Sequence, residues 1–267
     1  MNGAPVRDEL LVLRCISLGD SSKIVSGLAE RCGKVRLVAK GVKSPRSKMA
    51  GLLEPGNEIE VLFYARENRD LWILSEASLR RAALTGRSSL DKLSHLFAAL
   101  ELGDRLLHDF DAATEYVPHF RGFMDAWHQG EDAEMASLFF ALEMRMLTES
   151  GWGIDPHDCV QCDRPLLREE LDVRAYWSAA DGRLTCQKCA GIGGRWVEAE
   201  VVQALASVAL PSSGSRNFGG RRLDERSRRG VGRLLHEHMG YHLPRYRLPK
   251  SLYWLQQAAS DEAAEAR

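Results

Sequence analysis

Apolar residues cluster in short runs over about the first 80 residues, and turn-forming residues separate the runs. Glycine-containing turns stand at 19–20 and 32–34, and a polar stretch at 66–70 divides the last two runs. Runs of this length between turn signals predict strands. Five such strands are typical of a small closed or half-closed barrel, of which the OB fold is the one that handles oligonucleotides. The predicted strands are 10–18, 23–29, 35–39, 58–65 and 71–77.

From residue 88 onward the apolar positions recur at the period of a helix. One stripe consists of Leu90, Leu93, Leu96, Phe97 and Leu100, and a second of Met135, Leu138, Phe139, Leu142 and Met146. Ser89 is placed to cap the first of these helices. Further helices are predicted at 115–128, with Pro118 near the start, and at 198–210 and 224–241. We interpret 210–220 as a loop and 258–267 as a polar tail.

Four of the six cysteines form two Cys-x-x-Cys pairs, Cys159 with Cys162 and Cys186 with Cys189, and 23 residues separate the pairs. The two-residue spacing lets one tight turn aim both sulfur atoms at one ion, and four thiolates suit tetrahedral zinc. The residues between the pairs predict a hairpin, with strands at 173–177 and 183–185 and a turn at 180–182. We therefore predict one structural Zn²⁺ ion per chain.

The compartment agrees with a metal role for these cysteines. The chain has no apolar run of transmembrane length and no secretory layout at its N-terminus, so we expect neither a membrane nor a secreted location. The expected location is the cytoplasm, in association with the nucleoid. Because thiols stay reduced there, clustered cysteines are metal ligands more often than disulfides.

Sequence signatures of enzymes are missing. The chain contains no phosphate-binding GxxxxGK[ST] loop, no HExxH zinc motif and no GxSxG nucleophile motif. A zinc ion with four protein ligands also has no open position for water or substrate. His236, Glu237 and His238 suggest metal binding, but residues two apart on a helix point away from each other, which favours ordinary histidines. We expect a binding protein, not an enzyme, and we disfavour a zinc-dependent nuclease or hydrolase.

The net charge of −1 hides an uneven distribution. Seven Lys or Arg and no acid lie between residues 31 and 48, and ten Lys or Arg against three acids lie between 216 and 250. Between them, residues 91–149 hold 12 acids and only four Lys or Arg. A near-neutral protein with two basic patches can bind polyanions locally. The alternative is that these runs are simply solvated faces.

Two basic segments are candidates for contact with DNA phosphates. The first is a loop at 40–48, punctuated by Gly41 and Pro45, on the edge of the predicted barrel. Such a loop suits phosphate contact without sequence reading, although a solvated connector is the alternative. The second is a helix on which Arg222, Arg226, Arg229 and Arg233 would share one face. The predicted DNA-binding residues are Lys34, Arg36, Lys40, Lys43, Arg46, Lys48, Arg221, Arg222, Arg226, Arg229 and Arg233.

Taken together, these features resemble the RecO family of bacterial DNA repair proteins, over nearly the whole chain. The resemblance lies in Gly19–Val25 after the first strand, in Ala39–Ser44 of the basic loop and in Gly151-Trp152 before the first cysteine pair. It continues in Asp181-Gly182 before the second pair and in His242-Leu243-Pro244-Arg245 after the last helix. The order and spacing of these pieces are more specific than any single one.

The resemblance implies a multidomain protein with an N-terminal five-stranded OB-fold β-barrel and an α-helical domain that carries an inserted four-cysteine zinc-finger module. The expected bounds are 1–82 for the OB-fold domain, 83–154 and 195–257 for the helical domain, 155–194 for the zinc module and 258–267 for the tail. The implied activity is DNA repair and homologous recombination. It comprises binding of single- and double-stranded DNA, annealing of complementary strands, and loading of RecA together with RecR onto DNA coated by single-strand-binding protein, whose C-terminal tail is a further implied partner.

A different class of function stays open. The chain can also be interpreted as a protein-interaction scaffold, in which the zinc module and the acidic helices dock partners and DNA affinity is incidental.

Overall fold

The computed structural model describes residues 4–65, 70–84, 88–108, 114–167, 174–209 and 218–255. These residues belong to two compact units. One contains the chain up to Val117 together with the segment that begins at Pro249, and the other contains Pro118–Leu248. Within the described ranges, none of the helices has both the length and the apolar character needed to cross a membrane.

Five strands of the first unit form a closed barrel, as the sequence predicts. The strands are β1 (Ala4–Leu18), β2 (Ser22–Ala29), β3 (Gly33–Ala39), β4 (Glu58–Ala65) and β5 (Trp72–Arg81). They follow the order β1-β2-β3-β5-β4, and β4 pairs with β1 to close the ring. All neighbours are antiparallel except β3 and β5. The predicted turn at 66–69 lies outside the described residues.

The long strand β1 closes the barrel because it pairs with β2 along one part and with β4 along another. The register shifts between Val12 and Arg14, and such a bulge bends a strand and increases its twist. Inward side chains fill the barrel with β-branched and aromatic groups, and Val12, Val25, Ile59 and Phe63 are fully buried or nearly so. The alternating pattern in the sequence arises from this inner face.

The helix α1 (Leu90–Leu106) packs against β1 and β2 in the same unit. Its N-terminus is capped as predicted, because the side chain of Ser89 accepts a hydrogen bond from the Lys92 N–H at 3.1 Å. At the other end, Lys34 of β3 reaches the helix from the barrel. Its Nζ donates to the carbonyl oxygens of Asp104 and Leu107, and lies 3.6 Å from the Asp104 carboxylate.

Lys34 is therefore an internal residue. Only 5% of it is exposed. A buried ammonium must be paired and hydrogen-bonded, and the exposed carbonyls at a helix C-terminus attract a cation. The Ser26 hydroxyl donates a hydrogen bond to the same Asp104 carboxylate at 2.6 Å, so this carboxylate has a second partner on the barrel. This burial does not favour the predicted contact of Lys34 with DNA, and charge runs in a sequence do not reveal which member points inward.

The second unit is built from α2 (Val117–Gln129), α3 (Met135–Glu149), α4 (Ala199–Val208) and α5 (Glu225–His242). Every residue of α3 from Met135 to Leu147 is buried, so α3 is the central helix, and it packs against α4 and α5. The crossing of α4 and α5 is close, since a Cβ at Gly230 would lie 2.3 Å from a methyl group of Val201. Pro118 is accommodated in the first turn of α2, where no backbone donor is lost.

A small three-stranded sheet completes the second unit. Its strands are β6 (Ala175–Ser178), β7 (Arg183–Thr185) and β8 (Arg195–Val197), in the order β7-β6-β8. The hairpin of β6 and β7 confirms the predicted strands between the cysteine pairs, although residue 173 lies outside the described ranges. The strand β8 was not predicted, because three residues carry too little periodicity to be recognised.

The central helix α3 holds an acid among apolar side chains. Glu143 is 3% exposed, and burial raises the pKa of its carboxyl group to about 8. Arg145, two residues further on, has its guanidinium carbon 3.7 Å from the centre of the Phe218 ring. Burial lowers the pKa of Arg145 to about 10. Both charged residues are thus part of the packing of this unit.

We predict that Lys34→Met destabilises the first unit by roughly 1–3 kcal/mol, because it leaves the carbonyl oxygens of Asp104 and Leu107 without their buried donor, while the Asp104 carboxylate keeps Ser26 and Arg14 as partners. Chemical denaturation measures this loss. The matched control is Lys40→Met, which removes an exposed lysine one residue after β3 and should change little. Equal stability of the two variants would contradict the proposed role of Lys34.

Glu143 should make the stability of the second unit depend on pH. Because its folded pKa of about 8 lies above the ordinary value of 4.5, the folded protein keeps a proton that the unfolded chain has released between these pH values. The free energy of unfolding therefore falls as pH rises through this window. Glu143→Gln should remove that fall, and denaturation at several pH values measures it. Glu115→Gln, at an exposed acid, is the control, and an unchanged pH profile in Glu143→Gln would refute the assignment.

Candidate metal centre and nucleic-acid surface

The structure brings the four paired cysteines together. The Sγ atoms of Cys159, Cys162, Cys186 and Cys189 all lie within 4.8 Å of one another, so the group can hold one metal ion. Cys159 and Cys186 are buried, whereas Cys162 is exposed and Cys189 is half-buried. The cluster thus lies at the surface of the second unit with its inner two ligands fixed by packing.

Each cysteine pair forms a tight turn of the kind that the two-residue spacing predicts. In the first turn the N–H groups of Cys162 and Asp163 donate to the Cys159 carbonyl, at 3.3 and 2.8 Å. In the second the Cys189 N–H donates to the Cys186 carbonyl at 3.0 Å. The two turns are joined because the Val160 N–H donates to the Leu184 carbonyl of β7 at 3.3 Å.

The separation of the sulfur atoms fits a tetrahedral thiolate site. Cys162 Sγ and Cys186 Sγ are 3.8 Å apart. A tetrahedron with metal–sulfur bonds of about 2.3 Å has sulfur–sulfur edges of about 3.8 Å. The same distance is far longer than a disulfide bond of about 2.05 Å. The four residues therefore fit a shared ion and not a pair of disulfides.

Hydrogen bonds within the cluster separate the pKa values of its thiols. Burial raises the pKa of Cys159, but backbone N–H groups, including that of Cys162, outweigh it and lower the pKa to about 6. The pKa of Cys189 rises to about 12, because Cys162 and Cys186 share hydrogen bonds with it. Thiols that already share protons release them when a metal binds.

The sheet next to the cysteines is fastened to α5 by two histidines one helical turn apart. Nε2 of His238 lies 2.8 Å from the Trp152 carbonyl, and Nε2 of His242 lies 2.8 Å from the Ala179 carbonyl. Because a carbonyl only accepts, both Nε2 atoms carry the proton. The His242 ring also stacks on Trp152 at 3.9 Å. These contacts join the hairpin, the segment before the first cysteine and α5.

His238 belongs to the sequence motif His236-Glu237-His238, for which we expected ordinary histidines and not a metal site. His236 lies 3.2 Å from the Tyr246 hydroxyl, Glu237 pairs with Arg195, and His238 is buried, so the three side chains have different surroundings. They form no metal cluster among the described residues. The signal for the true anchors was the four-residue spacing of His238 and His242, which places both on one helix face.

The basic loop at 40–48 is fixed to the turn between β1 and β2. Val42 is fully buried, and the Lys43 N–H donates to the Ser21 carbonyl at 3.0 Å. The ammonium of Lys43 donates to the Gly19 carbonyl at 2.6 Å. Lys43 therefore holds the loop in place. Lys40, Arg46 and Lys48 are exposed, and none of them forms an ion pair with a described residue.

The remaining predicted residue of the barrel is Arg36, which is half-buried on β3. We leave it and Lys43 out of the exposed set. Of the predicted residues in the first unit, the structure thus leaves three as exposed cations: Lys40, Arg46 and Lys48.

The arginines near α5 are only partly arranged as predicted. The helix begins after Asp224, whose side chain accepts the Ser227 N–H at 2.9 Å as an N-cap. Arg221 and Arg222 therefore precede the helix, and the prediction that Arg222 shares its face is wrong. Arg226, Arg229 and Arg233 do lie on α5 at spacings of three and four residues, which keeps them on one face.

Carboxylates accompany most of these arginines. Arg222 pairs with Glu131 at 2.6 Å, Arg226 lies 3.9 Å from Glu200, and Arg229 pairs with Glu225. The side chains of Arg222 and Glu131 are 73% and 69% exposed, and the other two pairs are similarly open to solvent. Exposed pairs contribute only about 0–1 kcal/mol and are screened by salt. A DNA phosphate can therefore take the place of such a carboxylate.

Comparison with known proteins agrees with this architecture. A family model described as recombination protein O N terminal matches residues 1–83, and one described as recombination protein O C terminal matches residues 87–262. The chain belongs to the RecO family. The boundary between the two matches falls after the barrel and before α1.

Curated members of the family cover most of the chain. The DNA repair protein RecO of Chloroherpeton thalassium is 29% identical over 214 residues, which are 77% of this chain and 82% of that protein. The DNA repair protein RecO of Frankia casuarinae is 29% identical over 246 residues, which are 90% of this chain and 94% of that protein. The match with the RecO family thus extends over both units.

Proposed function

We propose that this RecO-family chain acts in DNA repair and recombination by binding single- and double-stranded DNA and annealing complementary strands. The observation that supports it most is the exposed trio Lys40, Arg46 and Lys48 on a loop that is fixed to a closed five-stranded barrel. A basic loop held in place by Lys43 presents its cations without first having to be ordered. Five-stranded barrels of the OB fold bind oligonucleotides through their loops and one face.

In this mechanism the protein contributes charge and base pairing contributes sequence. Lysine and arginine side chains neutralise phosphates and release the counterions that DNA carries. Two strands that are neutralised at the same time repel each other less, so complementary bases can pair. Arg226, Arg229 and Arg233 of α5 provide a separate proposed basic surface in the second unit. Contacts of these cations with phosphates would carry no sequence information, so the proposed binding is independent of sequence.

We further propose that the cysteine cluster holds zinc, one ion per chain. Four thiolates in two Cys-x-x-Cys turns are the donor set that zinc takes in structural sites. All four positions are then filled by the protein, so no site is left for an activated water, and we propose a non-catalytic role. The ion would hold the hairpin of β6 and β7 against the first cysteine turn.

The proposed partners follow from membership in the family. We propose that the chain acts with RecR, contacts the C-terminal tail of single-strand-binding protein, and serves the loading of RecA indirectly. The cytoplasm and its nucleoid are the proposed location of these steps. The proposed domain bounds likewise remain those expected from the sequence.

A second candidate is a protein-interaction scaffold with only incidental DNA affinity. The observation in its favour is the apolar surface near the cysteine cluster. Ile192 is 98% exposed, and Trp196 of β8 is 44% exposed. Exposed apolar groups of this kind mark contacts with partners when they form a patch. The scaffold predicts that annealing does not depend on the basic loop.

We predict that replacing Lys40, Arg46 and Lys48 together with alanine sharply weakens single-stranded DNA binding and annealing. If all three contact phosphates, the slope of the logarithm of the binding constant against that of salt concentration falls by about 2 in magnitude, at about 0.7 per contact. Fluorescence anisotropy over a salt series measures the slope. Annealing of labelled complementary strands gives the functional readout.

A matched triple variant separates local contact from loss of charge. This control replaces three exposed arginines of the zinc module, residues 155–194, whose total charge equals that of the three loop cations: Arg164, Arg174 and Arg183. Their replacement with alanine should leave both the slope and the annealing rate close to wild type. Unchanged annealing in the loop variant would refute the DNA proposal and favour the scaffold.

For the metal, we predict one zinc ion per purified chain by elemental analysis, and loss of the ion in Cys159→Ser. Removal of zinc should expose the thiols to titration and unfold the module locally, because metal binding and folding are coupled in small zinc sites. Circular dichroism and thiol titration measure both effects. Cys15→Ser, outside the cluster, should keep its zinc. Far less than one ion per chain, with four freely titratable thiols, would refute the assignment.

A further inference from the structure

The last described segment of the first unit carries a face with one cation and two aromatic rings. Residues 250–255 are helical, and Lys250, Tyr253 and Trp254 are spaced so that they lie on the same side of this turn. All three are exposed, with Tyr253 at 48% and Trp254 at 52%. Ser251, which adjoins this side of the turn, is 3% exposed and faces the interior. The exposed aromatic rings are therefore a consistent feature of one face.

The position of this face is fixed by α1. The Lys250 N–H donates to Oε2 of Glu101 at 2.8 Å, and Pro249 just before it is buried. Glu101 in turn pairs with Arg105 one helical turn further along α1. The side chain of Glu101 thus satisfies a backbone donor at the start of the turn. Aromatic side chains on an anchored turn lose little freedom when they bind a planar group.

The charge around the face identifies the kind of occupant. The exposed cation Lys250 lies on the same side of this turn as the two rings, and the turn itself, residues 250–255, contains no Asp or Glu. Acid-free chain with interspersed aromatic residues suits a polyanion with planar groups. An unpaired base stacks on an aromatic ring whatever its sequence, and a nearby cation meets the phosphate. Bases of duplex DNA are already stacked and are not available in this way.

We infer that Tyr253 and Trp254 form a stacking platform for unpaired bases of single-stranded DNA, with Lys250 beside the phosphate backbone. The inference rests on the proposed DNA binding and deepens it. It separates two tasks within the first unit. The basic loop attracts any strand by charge, while the aromatic face selects strands whose bases are unpaired.

The test compares Trp254→Ala with wild type in anisotropy titrations of a labelled oligothymidylate, a duplex of equal length and an abasic strand. The affinity for oligothymidylate should fall about tenfold, within the range for one stacked base. Affinity for the duplex and the abasic strand should not change, because neither offers an unpaired base. Trp254→Phe keeps an aromatic ring and should restore most of the affinity.

The matched control is Trp196→Ala. This variant removes a similarly exposed indole from β8, where Trp196 is 44% exposed. It should bind oligothymidylate like wild type. An equal loss in both tryptophan variants, or a loss in Trp254→Ala that extends to the abasic strand, would overturn the platform. Unchanged oligothymidylate binding in Trp254→Ala would also overturn it while leaving the proposed function intact. Absence of DNA binding by wild type would instead refute the proposed function.

Discussion

The ammonium group of Lys34 cannot be buried without partners, and the C-terminal end of α1 supplies them. Two carbonyl oxygens and the Asp104 carboxylate surround Nζ, so the barrel and the helix are joined by a largely buried charged contact. Breaking such a contact leaves an unpaired buried charge. The same helix offers Glu101 to the Lys250 N–H. One buried lysine therefore fixes the position of α1, and α1 in turn fixes the aromatic turn that follows Pro249.

In the second unit, different contacts hold a small sheet in place. This sheet has only three strands of three or four residues each, so it forms few hydrogen bonds and buries little surface by itself. Four thiols on one side, and the His238 and His242 contacts on the other, hold this sheet in place. The hairpin between the cysteine pairs thus contacts both the cysteine cluster and α5. The cysteine cluster and the packing against α5 therefore involve the same few residues.

The basic side chains have two different roles: some hold the fold together, and others remain exposed to solvent. Lys34 and Lys43 bind carbonyl oxygens and hold the fold together, whereas Lys40, Arg46 and Lys48 stay in solvent. The arginines around α5 form an intermediate class, because their carboxylate partners are exposed and exchangeable. A chain with net charge −1 can therefore present locally basic surface. What matters for a polyanion is how many cations remain in water, not how many the sequence contains.

The sequence by itself determined the strands of the barrel, the helical stripes, the Ser89 cap and the two cysteine turns, because each depends on residues close together in the chain. Only the tertiary structure decided that Lys34 faces inward and that Asp104 receives it. It also decided that Arg222 stands before the Asp224 cap, that Glu143 is enclosed in α3, and that β8 exists. These features depend on which distant group lies opposite a side chain, and charge or periodicity along the chain carries no record of that partner. Local pattern selects the elements, whereas burial and pairing across the fold decide which charged groups remain available for function.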